Sequence, residues 1–136
     1  LDVPYERSVV LYHSAFFKDR DPQANLRFDN WVEVPAVEGD QRASLKLMRE
    51  RMFGDHSYEA AVFIGGMEGV IDEFEILQGL APDATLVPLA APGGVSRDLF
   101  DRVEGFPHEM RNRTDFTYWL YRILQIDPSE PRVLVD

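Results

Sequence analysis

One stretch decides the fold of this chain: Ala60-Ala61-Val62-Phe63-Ile64-Gly65-Gly66-Met67-Glu68-Gly69-Val70-Ile71-Asp72-Glu73-Phe74-Glu75-Ile76-Leu77. It begins with an uncharged apolar run over 60–64, which predicts a buried strand. Two adjacent glycines then allow a sharp turn. After the turn, apolar residues recur at the i, i+3, i+4, i+7 spacing of a helix face, at Val70, Ile71, Phe74 and Leu77. A strand, a glycine turn and a helix in direct succession are how an open α/β sheet presents a helix N-terminus to a ligand.

Strands and helices alternate on both sides of this stretch. The patterns predict strands at 8–13, 31–35, 60–64 and 85–89, and helices at 41–53, 68–80, 97–104 and 115–125. Asp40, Ser96 and Thr114 stand where helix N-caps are expected. A polar loop is predicted at 18–30, and a short strand or tail at 132–135. The alternation predicts one domain over 1–136 with a Rossmann-like, three-layer α/β/α fold and a mainly parallel sheet.

Composition limits the function classes. The chain has 136 residues and a net charge of -10, which argues against a nucleic acid or an anionic membrane as partner. Cysteine is absent, so neither disulfides nor thiolate metal ligands exist. No apolar run approaches the roughly 20 residues of a membrane span. We therefore expect a cytoplasmic protein without a metal or a cofactor.

Two glycine turns are candidate binding elements. Right-handed crossovers would place the loops after residues 64 and 89 at the same sheet edge, facing one crevice. At the first turn, Gly65, Gly66 and Gly69 would let the main chain approach a phosphate. At the second, Gly93-Gly94-Val95-Ser96 would offer further N–H groups and a hydroxyl. The alternative for the first is a tight turn without a ligand, and for Ser96 a role restricted to capping its own helix.

Charged side chains flank these turns. Arg42, Lys46 and Arg49 share one face of the predicted helix at 41–53, where they could supply a cation for a bound phosphate. The alternative is a solvated face paired with surface acids. Glu73 follows Gly69 by about one helical turn, so its carboxylate could bind ribose hydroxyls or act as a general base.

The segment Phe63–Phe74 resembles the signature of the SLOG superfamily, and its Gly-Gly-Met-Glu-Gly form is similar to the prokaryotic SLOG cluster 3 branch. These Rossmann-like domains are related to the LOG phosphoribohydrolases and to the DprA/Smf proteins. The corresponding LOG motif is Pro-Gly-Gly-x-Gly-Thr-x-x-Glu, whose glycines hold a nucleotide phosphate and whose glutamate works with an upstream arginine. Gly65, Gly66 and Gly69 match the glycines, Glu73 the glutamate and Arg49 the arginine.

The sequence departs from the LOG motif at several positions. One extra residue lies between Gly66 and Gly69, Val70 replaces the threonine, and Ile64 replaces the proline. The resemblance therefore implies a domain that binds or senses a nucleotide or an ADP-ribose-like ligand. It implies a homo-oligomer, and binding residues at Gly65, Gly66, Met67, Glu68, Gly69, Arg49, Gly93, Gly94 and Ser96.

Two other readings stay open. The first is a LOG-type hydrolase of the N-glycosidic bond of nucleoside monophosphates, with Arg49 and Glu73 as catalytic residues. The second is an oligomerisation domain without a ligand. The family also begins with a strand and a Gly-rich turn before the segment that matches Ser8–Phe17, so we expect residues upstream of Leu1 that complete the pocket.

Overall fold

A computed structural model describes residues 5–20 and 28–130. The predicted strand at 132–135 and residues 21–27 of the predicted polar loop lie outside the described residues. The chain divides into two compact units. The first takes in the described residues up to Asp55 together with 129–130, and the second runs from His56 to Pro128.

The first unit is built on a pair of parallel strands. Its elements are helix α1 (Tyr5–Ser8), strand β1 (Val10–Ser14), a 3-10 helix (Ala15–Arg20), strand β2 (Asn30–Val34) and helix α2 (Gln41–Gly54). The pairing of β1 with β2 runs from Val10 opposite Asn30 to Ser14 opposite Val34. The predicted first strand thus begins two residues later than expected, because the chain before it forms a helical turn.

Helix α2 begins where the sequence predicts. The carboxylate of Asp40 accepts a hydrogen bond from the Ala43 N–H at 2.9 Å, which is an N-cap. Ser44 is fully buried, and its Oγ accepts from the Val37 N–H at 2.9 Å and lies 2.6 Å from the Asp40 carbonyl oxygen. This hydroxyl fixes the loop before the helix onto its first turn, so a small polar residue occupies the inward face there.

The second unit contains a second parallel strand pair. Its elements are strand β3 (Ala60–Ile64), helix α3 (Glu68–Leu80), strand β4 (Thr85–Leu89), helix α4 (Val95–Arg102), a 3-10 helix (His108–Asn112) and helix α5 (Phe116–Ile123). The pairing of β3 with β4 runs from Ala60 opposite Thr85 to Ile64 opposite Leu89. The predicted bounds of β3, α3 and β4 are confirmed to the residue. The prediction that β3 is a buried strand is wrong, because Phe63 is its one buried residue and Ile64 is 62% exposed. Parallel strands alternating with helices confirm the predicted α/β, Rossmann-like class.

Two predicted caps are wrong. Helix α4 begins at Val95, two residues earlier than predicted, and its N-cap is Gly94. Ser96 therefore lies inside the first turn of the helix. The N-cap of α5 is Asp115 and not Thr114. The Asp115 side chain does not cap the helix, because its carboxylate accepts from Arg113 and from the indole N–H of Trp119.

The core of the second unit lies between β4 and the two C-terminal helices. Val87, Leu89, Ala90, Phe100, Met110 and Trp119 form one buried cluster. Apolar residues of α5 and its C-cap pack against this cluster, namely Phe116, Leu120, Ile123 and Leu124. On α3, Phe74 and Leu77 are buried, and the Phe74 ring lies 5.3 Å from that of Phe63 on β3. Within the described residues, no helix is both long and apolar enough to cross a membrane.

Candidate ligand site at the interlocked glycine turns

The two glycine turns meet at one edge of the β3–β4 pair, as predicted. Because the strands are parallel neighbours, the chain leaves both of them on the same side. Gly65 and Gly66 follow β3 with φ of 63° and 81°, and Gly93 and Gly94 follow β4 with φ of 81° and 65°. All four residues occupy backbone conformations that glycine adopts at little cost.

Three hydrogen bonds lock one turn onto the other. The Gly65 N–H donates to Ser96 Oγ at 2.8 Å, and the Ser96 N–H donates to the Gly65 carbonyl at 3.0 Å. The Val95 N–H donates to the Gly66 carbonyl at 3.1 Å. The end of β3 is thus held by the first turn of α4.

This contact leaves no room for a side chain on Gly94. A Cβ on Gly94 would lie 2.7 Å from the Gly66 carbonyl oxygen and 2.8 Å from the Gly65 carbonyl carbon. A Cβ on Gly66 would overlap Cγ2 of Val70. The close approach of two backbones, together with the positive φ angles, explains the glycines on both sides.

The side chain of Ser96 is committed to this junction. It is fully buried, and its Oγ lies 2.7 Å from the Leu89 carbonyl oxygen and 3.0 Å from that of Gly93. The hydroxyl therefore shares its single proton between two carbonyl oxygens while it accepts from Gly65. Its hydrogen-bonding capacity is used within the protein.

The start of α3 is open. Its N-cap is Met67, which makes no side-chain capping bond and is 82% exposed. The Val70 N–H donates to the Met67 carbonyl at 2.9 Å. In the described part of the chain, the N–H groups of residues 66–69 have no protein acceptor. Unpaired donors at a helix N-terminus, where the helix dipole is positive, favour an anion.

The start of α4 is closed by comparison. Its first N–H groups, on Val95 and Ser96, donate to the glycines after β3, and the Arg97 N–H donates to the Gly94 carbonyl at 3.1 Å. Of the two helix starts at this edge, that of α3 has the longer run of backbone donors left for a ligand.

The sequence model of the SLOG cluster3 family matches residues 1–124. This chain belongs to the SLOG cluster3 family. The match confirms the resemblance that the glycine motif suggested, and it extends over both compact units. No curated protein and no solved structure matches the chain.

In this SLOG domain, the predicted acidic residue Glu73 is half-buried on α3. Glu68 stands exposed in the first turn of the helix, where a carboxylate is stabilised by the helix dipole. The Glu68 carboxylate therefore offsets part of the positive potential that would attract a ligand anion. The described residues contain no group of three or more His, Asp or Glu arranged to hold a metal ion.

The three basic residues of α2 differ in their surroundings. Arg42 and Lys46 are exposed, and Lys46 Nζ lies 3.7 Å from Glu50. These two residues therefore fit the alternative interpretation, a solvated helix face paired with surface acids. Arg49 is only 8% exposed. Its pairing with a phosphate stays a prediction.

The structure also shows a groove that sequence reasoning missed. It has a volume of about 380 Å³ and is lined by Glu109, Arg113, Asp115, Tyr118 and Trp119. Arg113 makes a bidentate ion pair with Asp115, at 3.0 Å for each bond, which lowers the pKa of Asp115 and raises that of Arg113. Nothing in the sequence showed that the first turn of α5 borders a groove.

Proposed function

We propose that this SLOG domain binds a nucleotide or an ADP-ribose-like derivative, with a phosphate of the ligand at the N-terminus of α3. The observation that carries the proposal is the set of unpaired N–H groups at residues 66–69, directly after a glycine turn that is open to solvent. Membership of the SLOG cluster3 family supports the nucleotide-derived class of ligand.

The remaining predicted site residues have supporting roles in this proposal. Gly65, Gly66 and Gly69 keep side chains away from the phosphate, and Gly93 and Gly94 allow the second turn to close behind the first. Arg49 stays the predicted cation, because an arginine pairs with a phosphate bidentately. Glu73 accepts hydrogen bonds from ribose hydroxyls.

The acidic surroundings of the site set a condition on binding. The chain carries a net charge of -10, and Glu68 lies in the first turn of α3. We therefore expect phosphate binding to be of modest affinity and to strengthen when the Glu68 charge is removed.

A pair of variants at Glu68 tests the backbone donors directly. Glu68 is the first residue of α3, a position where proline is tolerated. The preceding residue, Met67, already has the extended conformation that proline requires of its neighbour, with φ -121° and ψ -164°. Glu68→Pro therefore removes one N–H donor and the charge, whereas Glu68→Gln removes the charge alone.

The measurement is isothermal titration of the full chain with AMP and with ADP-ribose. We expect Glu68→Gln to bind more tightly than the unmodified chain, and Glu68→Pro to bind about tenfold more weakly than Glu68→Gln, the value of one lost charge-assisted hydrogen bond. Equal affinities of the two variants would show that the N–H groups of α3 do not hold the ligand.

The same samples separate sensing from hydrolysis. After incubation, proton NMR shows whether a free base has been released from AMP. Binding without release supports the sensing function, and release that is lost in Glu73→Gln would assign the domain to the hydrolases instead. A cytoplasmic location and self-association stay predictions.

A further inference from the structure

Ser96 joins the two glycine turns from a fully buried position. We infer that Ser96 is a positioning residue, which anchors the glycine turn that presents the N–H groups of Gly66 and Met67 to the ligand, without contacting the ligand itself. The inference rests on the proposed function, and it assigns the second glycine turn a different task from the first.

The direction of these donors follows from peptide geometry. In a trans peptide unit the C=O and N–H bonds point in opposite directions, and no cis peptide bond occurs among the described residues. The carbonyl oxygens of Gly65 and Gly66 both accept hydrogen bonds from the first turn of α4. The N–H groups of the same two peptide units, those of Gly66 and Met67, therefore point away from α4.

The hydroxyl of Ser96 anchors the residue at which this turn begins. It accepts from the Gly65 N–H at 2.8 Å, while the Ser96 N–H donates to the Gly65 carbonyl at 3.0 Å. Both backbone groups of Gly65 are thus bound to one residue. Ser96 Oγ is fixed in turn by the carbonyl oxygens of Leu89 and Gly93 at 2.7 and 3.0 Å.

Without the hydroxyl, the turn after β3 would keep the two backbone hydrogen bonds from α4 but lose the bond that fixes the Gly65 N–H. Gly65 and Gly66 have no Cβ to restrict their dihedral angles, so their peptide units rotate readily once a hydrogen bond is lost. The N–H groups of Glu68 and Gly69 belong to α3 itself and keep their direction. The effect of Ser96 on a ligand should therefore concentrate on residues 66 and 67.

Three variants of the full chain test this role in titrations with AMP, followed by ¹⁵N NMR. Ser96→Ala removes the hydroxyl. Ser96→Thr keeps a hydroxyl at the cost of an extra methyl group in a buried site. Met110→Ala is the control, because Met110 is buried in the core of the same unit and loses stability without touching either turn.

We expect Ser96→Ala to bind AMP about tenfold more weakly, as one misdirected hydrogen bond implies. Its ligand-induced shifts at Gly66 and Met67 should disappear, while those at Glu68 and Gly69 persist. Ser96→Thr should recover most of the affinity even where its melting temperature is lowered. Met110→Ala should melt at a lower temperature with an unchanged Kd.

The outcomes separate the two proposals. If the unmodified chain binds AMP and Ser96→Ala binds it with the same Kd and the same shifts, the positioning role is wrong and the ligand site stands. If Met110→Ala weakens binding as much as Ser96→Ala, the effect is one of stability and the inference also falls. If the unmodified chain binds neither AMP nor ADP-ribose, the proposed function fails. The Gly65 amide then still tests the anchor without a ligand, because its exchange with solvent should be slow in the unmodified chain and fast in Ser96→Ala; equal rates would refute it.

Discussion

Replacing Gly94 with alanine should break the junction of the two turns. Gly94 has φ of 65° and ψ of -163°, a region that is essentially restricted to glycine, and strain there costs about 1–3 kcal/mol. The new Cβ would also lie 2.7 Å from the carbonyl oxygen of Gly66, so the turns must separate. Separation loses the two backbone hydrogen bonds that α4 donates to Gly65 and Gly66, at about 1 kcal/mol each. We expect Gly94→Ala to lower the free energy of unfolding by about 3–5 kcal/mol.

Two other glycines of the same unit provide matched controls. Gly93 has a φ of 81°, but a Cβ there would meet nothing within 4 Å, so Gly93→Ala carries the backbone strain alone, about 1–2 kcal/mol. Gly79 lies within α3, also with open space around a Cβ. Gly79→Ala should stabilise the helix by about 0.5–1 kcal/mol. The series thus separates strain from contact.

Urea unfolding followed by tryptophan fluorescence is the assay. The chain has two tryptophans, Trp31 and Trp119. In a Trp31→Phe background the signal reports only on Trp119, which is buried in the core of the second unit. At a slope of about 2 kcal/mol per molar urea, Gly94→Ala should lower the midpoint by about 2 M. A loss no larger than that of Gly93→Ala would refute the close contact of the two turns.

Three further outcomes are expected. Gly66→Ala should lower the free energy of unfolding, and the double variant with Val70→Ala should recover part of that loss. The recovery is partial because Val70→Ala relieves the overlap with Cγ2 while φ of residue 66 stays at 81°. Additive losses of the two substitutions in urea unfolding would contradict this. Asp40→Ala should lower the free energy of unfolding by about 1 kcal/mol, because α2 loses its N-cap. Thermal unfolding followed by circular dichroism measures this, and an unchanged melting curve would show that the cap is dispensable. Hydrogen bonds from Arg111 lower the pKa of Asp101 below its ordinary value of 3.8. The ion pair therefore stabilises the folded chain fully at pH values above 3.8, and its contribution is lost as the pH falls through the lowered pKa. The stability difference between the unmodified chain and Asp101→Asn should therefore shrink on acidification below 3.8, and a difference independent of pH would exclude the ion pair as its source.

The central part of the fold could be predicted from the sequence because its signals are local. The apolar run over 60–64, the glycine pair and the helical period that follows each depend on residues close in the chain, and β3 and α3 have the predicted bounds. The meeting of the two turns could also be predicted from the sequence, because parallel neighbouring strands joined by a right-handed crossover end at the same edge of the sheet.

The role of Ser96 could not be predicted for the opposite reason. A serine next to a helix start suggests an N-cap, which is a local bond. Its decisive partner is the Gly65 N–H, 31 residues earlier in the chain, and no local pattern reports such a contact. Asp115 is a similar case, since its carboxylate caps nothing and instead binds the side chains of Arg113 and Trp119.

The bonds between the two turns have a consequence for the order of folding. The motif over 65–73 is contiguous in sequence, but its geometry depends on residues 94–96, so a peptide that ends before Gly94 would contain every glycine of the motif without its supporting contacts. The contact between Gly65 and Ser96 joins residues 31 positions apart, whereas the hydrogen bonds of α3 are local, so we expect the contact to form later than the helix. During synthesis on the ribosome, the glycine motif would therefore emerge before its supporting contacts, which can form only once the first residues of α4 have also emerged.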